Sequence, residues 1–130
     1  MTVHEYGEFS LEKMMTGTDS VGRAQLLADY YLVLYVADVP TASNGPTVRL
    51  TWLPLTASNL PMYAREIPVV FVSMENPYHL RDVPRVQTFV NAYCNTVRNV
   101  GVVADKLLGL DGFRGTSPVD PFCGYPEARY

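Results

Sequence analysis

Apolar residues in this chain gather in short unbroken runs more than at strictly alternating spacing. The clearest run is Tyr30-Tyr31-Leu32-Val33-Leu34-Tyr35-Val36, rich in aromatic and β-branched residues and flanked by Asp29 and Asp38. A strand apolar on both sides fits a sheet covered on both faces, which usually means a parallel sheet. A second run, Val69 to Met74, stops abruptly in the polar, proline-braked segment Glu75-Asn76-Pro77-Tyr78-His79-Leu80. Gln87 to Ala92 predicts a third strand, shorter and more polar, as suits a place near a sheet edge. Asn95 or Thr96 then caps the best helix in the chain. Its residues Val100, Val103, Ala104, Leu107 and Leu108 share one face, and Gly109 supplies the stop.

Elsewhere the pattern is weaker. Met1 to Tyr6 alternates weakly and reads as a short strand. Leu11 to Leu27 reads as a broken helical region with Ser10 as N-cap, interrupted at Gly17, Thr18 and Gly22. A further turn or two covers Arg23 to Ala28. Thr41 to Pro46 is a loop by composition. Val48 to Trp52 alternates, and stays open between a short strand and the start of a helix. Pro54 and Pro61 exclude one long regular helix from Leu53 to Arg65. Strands followed by connections and then a helix make an α/β layer pattern. The expected fold is a mainly parallel sheet of about four to five strands with helices on both faces, a three-layer sandwich. It forms a single domain over residues 1–124, with a tail at 125–130.

Composition narrows the function classes. Hydrophobic content of 48% and charged content of 18% place the 130 residues among globular domains rather than disordered chains. The formal charge of −3 and the scattered basic residues form no patch for phosphates, which argues against nucleic acid. No apolar run approaches the roughly 20 residues of a membrane-spanning helix. The first residues have neither the basic start nor the apolar stretch of a signal peptide. Cys94 and Cys123 lie far apart with no His or Cys at metal-ligand spacing, so no metal site is expected. Cys94 sits in an apolar stretch and is expected as a buried free thiol. Glycines 109, 112 and 115 follow a helix instead of opening one, so no phosphate loop or cofactor is expected.

Chemistry concentrates in the loop after the second strand, the end of an open α/β sheet at which ligands usually bind. In one reading Asn76, His79, Arg81 and Asp82 line a surface that faces a bound ligand. In the plainer reading Asn76 and Asp82 satisfy backbone donors in a turn-rich loop whose shape Pro77 fixes. Glu75 and Asp82 are the only carboxylates there that could act as an acid and base pair. Ser73, His79 and Asp82 contain the three residue types of a nucleophilic triad. Ser73 lacks the Gly-x-Ser-x-Gly elbow that would expose it and is expected as a buried strand serine. The tyrosines Tyr30, Tyr31 and Tyr35 are expected to pack in the core.

The order of these pieces carries a resemblance. Pro68 to Ser73, Asn76-Pro77-Tyr78 with Leu80, Asp82 with Pro84, Ala92-Tyr93, Leu107 to Gly109, and Gly115 with Pro118-Val119 follow one another. That succession resembles the C-terminal domain of glycoside hydrolase family three, in particular its bacterial β-N-acetylhexosaminidase-like branch. The closing Asp120-Pro121-Phe122-Cys123-Gly124 resembles that branch too, and Cys94 stands where serine is common. The similarity runs from about Tyr30 to Gly124. It implies a non-catalytic accessory domain whose partner is an N-terminal barrel, and whose parent cleaves terminal N-acetylhexosamine-type sugars through an aspartate on that barrel. Neither that aspartate nor the barrel's His-containing motif has a counterpart here. The family domain also opens with a strand and helix ahead of anything like Val3-His4-Glu5-Tyr6, so the sheet is expected to be incomplete on its N-terminal side. An unpaired edge left by that loss predicts a homodimer or strand exchange. The competing expectation is a self-standing α/β module that binds a carbohydrate or other small ligand at the Asn76–Asp82 loop.

Overall fold

The computed structural model describes residues 27–40, 50, 65–83 and 86–125. Three strands form one sheet in the order β1 (Val33–Ala37), β2 (Val69–Ser73), β3 (Thr88–Asn91), and both pairings are parallel. Apolar β-branched runs suit such a sheet because each strand meets side chains above and below it. Val33 opposes Val69, and Val70 opposes Thr88. Backbone bonds from Met74 to the Ala37 carbonyl and from Ala92 to the Ser73 carbonyl, both 2.9 Å, carry the ladder to the carboxyl ends of the strands. The described strands are fewer than the expected four to five. Met1 to Tyr6, and Val48 to Trp52 apart from the irregular Leu50, lie outside the described residues.

The two faces are built differently. On one, Phe71 stacks between Tyr35 and Phe89, with ring centroids 5.9 and 5.5 Å away. Offset stacking of this kind adds about 0.5–1.5 kcal/mol per pair beyond buried area. Ile67, Val69, Val83 and Val86 close round Phe71, with Leu27, Tyr30, Val33 and Leu50 at the margin. Residues 27–29 are helical, so this face carries helix as well as loop. On the other face, helix α1 (Val97–Leu107) packs Val103 onto Val72 and Met74, beside Val70, Val90 and Ala92. Thr96 caps α1 by accepting the Asn99 N–H at 3.3 Å, and Gly109 follows it with φ +76°, a conformation natural to glycine. The α/β arrangement with helix on both faces matches the expected one.

Three details differ from expectation. Strand β1 begins at Val33, so Tyr30 to Leu32 precede it and Tyr31 is 90% exposed. Leu34 and Val36 share the α1 face with Val70 and Val72 yet remain exposed, because α1 covers β2 and β3 but leaves β1 open. On α1 itself only Val103 of the five predicted face residues is buried; Val100 is half-exposed and Leu108 mostly exposed. Among the described residues no helix is long and apolar enough to cross a membrane.

Candidate functional site

All three strands run the same way, so Asp38, Met74 and Ala92 follow their carboxyl ends at one edge of the sheet. The loop after β2 folds into a 3-10 helix, Pro77–Arg81. Asn76 starts it: its Oδ1 accepts the Tyr78 N–H at 3.0 Å, while Pro77 presets the first turn. Ser73 Oγ donates to the Asn76 carbonyl at 2.6 Å and lies 2.8 Å from His79 Nδ1. A serine hydroxyl has one proton. With that proton committed to Asn76, His79 Nδ1 is the donor to Ser73, which fixes the imidazole tautomer. The loop closes as Asp82 N–H donates to the His79 carbonyl at 2.8 Å. Asp82 Oδ2 accepts the Leu50 N–H at 3.1 Å, tying the β1–β2 connection to this loop.

The structure therefore brings Asn76, His79, Arg81 and Asp82 into one loop but turns them in different directions. Asn76 (3% exposed) and His79 (0%) face inward, Asp82 is half-buried and Arg81 is exposed. Glu75 is half-buried. Ser73 is buried, as expected for a strand serine, and Asp82 bonds Leu50 rather than completing a triad. Among the described residues no group of three or more His, Cys, Asp and Glu could hold a metal ion.

The loop after β3 holds a residue that sequence reasoning did not single out as a site. Tyr93 has φ +64°, the left-handed region that a Cβ disfavours. Asn99, in the first turn of α1, donates Nδ2 to the carbonyls of both neighbours, Ala92 at 2.9 Å and Cys94 at 2.7 Å. Asn95 reaches Asp38 at 3.2 Å and pins the loop to the end of β1. Tyr93 leaves its ring 43% exposed and meets Ser117 Oγ at 2.8 Å. Ser117 gives its proton to the Val119 carbonyl at 2.9 Å, so the Tyr93 hydroxyl is the donor of that pair. Just below, Asn91 Oδ1 is buried with no hydrogen-bond partner among the described residues. No composition signal marks Tyr93, since tyrosine is not a turn residue. Cys94, expected as buried, is half-buried in this loop; both cysteines are free.

At the opposite end of α1, Lys106 Nζ bonds Asp111 Oδ2 at 2.6 Å and the Gly112 carbonyl at 2.5 Å, and lies over the Phe113 ring. The Lys106 bond, then the Gly112 N–H and the lysine's charge, hold the Asp111 carboxyl below its ordinary value.

No family model matches the sequence. The curated β-N-acetylglucosaminidase/β-glucosidase of Cellulomonas fimi is 47% identical over 93 residues, 72% of this chain. The solved structure of β-glucoside phosphorylase BglX matches 98% of the chain with a TM-score of 0.73 at 33% identity. The chain belongs to glycoside hydrolase family three. A second family-three structure, BglX bound to 2FGlc, matches 78% of it with a TM-score of 0.69 at 40% identity. This family-three chain spans 16% of the length of the Cellulomonas relative, and 26% and 18% of the two solved chains.

Proposed function

We propose that this family-three chain is a non-catalytic C-terminal accessory domain, docked on a barrel that cleaves terminal N-acetylhexosamine-type sugars. The observation that carries this reading is the open apolar surface beside α1. Leu34 and Val36 on β1 are 43% and 61% exposed, and Val100 on α1 and Leu108 just past its end are 48% and 74% exposed. Exposed apolar groups of this kind mark a surface made to be covered. The occupant is the catalytic part of the protein, because the relatives continue far beyond the stretch that this chain matches. The inward turn of Asn76 and His79 fits the same reading, since a loop that spends its polar atoms on itself serves as scaffold.

The competing reading, a self-standing module that binds a carbohydrate or other small ligand, calls for a polar pocket at the Asn76–Asp82 loop and monomeric behaviour. Asp82→Ala separates the two, since it should abolish ligand binding in the module but cost only the Leu50 hydrogen bond in the accessory domain. Assay of the chain with a chromogenic N-acetylglucosaminide tests a third possibility, hydrolysis by Glu75 and Asp82 themselves. The accessory reading expects no aryl release from the chain alone and release when the barrel is supplied. Turnover by the chain alone that disappears in Glu75→Gln or Asp82→Asn would overturn it.

A further inference from the structure

We infer that Tyr93 is a sugar-contacting residue, its ring held at the carboxyl edge of the sheet as a stacking face for a pyranose. The ligand class rests on the glycosidase reading above; the placement rests on the fold alone.

The argument starts from the backbone. A left-handed tyrosine costs roughly 1–2 kcal/mol relative to an ordinary conformation, and glycine would relieve that cost. Apart from the Tyr93–Ser117 pair, the bonds that shape the 92–96 loop among the described residues involve other groups: Asn99 to the Ala92 and Cys94 carbonyls, Asn95 to Asp38, Cys94 with Thr96, Ala92 N–H to the Ser73 carbonyl, and the Thr96 cap. The turn therefore needs the conformation at position 93 but not the ring. The ring contributes little to the core, being 43% exposed, and its hydroxyl reaches only Ser117 on an exposed segment. A bulky side chain kept in a strained, pinned loop points to use of that side chain.

Its surroundings indicate the kind of ligand. The apolar surface assigned above to the barrel lies beside α1 and β1, whereas the Tyr93 hydroxyl meets Ser117, the same loop carries Asn95 bonded to Asp38, and Asn91, two residues earlier, has a buried Oδ1 without a hydrogen-bond partner among the described residues. An exposed aromatic ring on a loop that also carries amide, carboxylate and hydroxyl groups suits a pyranose, whose ring C–H groups are apolar and whose rim is hydroxylated. A protein partner would be met by the apolar surface instead. The edge itself is where open parallel sheets take ligands.

The test is saturation-transfer NMR on the 130-residue chain with N-acetylglucosamine and with glucose, alongside thermal melts. Wild type, Tyr93→Phe and Ser117→Ala are expected to receive transfer, because each keeps the ring. Tyr93→Gly and Tyr93→Asn, both of which accept a left-handed backbone, are expected to bind about three- to tenfold more weakly while melting no lower than wild type. Undiminished transfer in the glycine or asparagine variant, or none in wild type for either sugar, overturns the inference. Loss in Tyr93→Phe and Ser117→Ala to the same degree as in Tyr93→Gly also overturns it, because the tyrosine would then only anchor the 117–119 segment. None of these readouts involves hydrolysis or docking, so the inference can fail while the accessory-domain reading stands, and the reverse.

Discussion

Ser73, Asn76 and His79 form a closed exchange in which the serine hydroxyl gives its proton to one partner and receives one from the other. Ser73→Ala removes the acceptor of the His79 Nδ1–H and one of the donors to the Asn76 carbonyl, which keeps the His79 backbone N–H at 3.4 Å, in a region that water does not reach. An orphaned buried group costs about 1–3 kcal/mol. Urea unfolding is therefore expected to show a lower midpoint with an unchanged slope; an unaltered midpoint would mean that the loop takes up the loss. The buried serine was legible in the sequence, because it closes an apolar run without the glycines of an elbow. The direction of His79 was not, since a polar loop looks the same whether its side chains face ligand or core. Asp111 makes a prediction of opposite character. Its carboxyl is lowered in the folded chain by Lys106, so its contribution is complete above the ordinary aspartate value of about 3.9 and fades as pH falls through the lower folded value. Protection of the Gly112 amide, taken relative to its intrinsic exchange rate at each pH, should fall on acidification and in Asp111→Asn at neutral pH, while protection of the β2 amides is unaffected.

Helix α1 and strand β1 show how far periodicity reaches. Spacing identified the α1 residues that share a face and the Gly109 stop, and narrowed the cap to Asn95 or Thr96, all of which are local properties. It carried no information on the width of the surface under the helix, and only Val103 finds cover. The start of β1 was misplaced for a related reason. Pairing begins where β2 can reciprocate, at Val33 opposite Val69, and one strand's composition does not reveal its partner's length. Two substitutions measure the contrast between covered and open positions. Phe71→Ala empties the centre of the aromatic stack and is expected to cost about 3–5 kcal/mol in denaturant unfolding. Val36→Asp, on the open side of the neighbouring strand, should cost about 1 kcal/mol or less. Equal losses at the two positions would mean that the β1 face is covered in solution.

The molecule as a whole has one well-filled face and one left partly bare. The bare side, together with the β1 edge, is where the accessory reading places the barrel and where the chain by itself is expected to meet a second copy. Light scattering should detect a dimer that Val36→Asp dissociates; a monomer at every concentration would count against both the dimer and a strongly apolar docking face. The aromatic face, by contrast, needs nothing from outside. Its register has a kinetic corollary. Val33 must find Val69 and Val70 must find Thr88 across long stretches of intervening chain, with no hairpin to bring them together. Ladders closed only by such distant encounters are slow to nucleate, and they leave strand edges open to the wrong neighbour meanwhile. In a growing polypeptide neither ladder can close until the ribosome has released both of its strands. Their first chance encounters would then take place against whatever has already folded upstream.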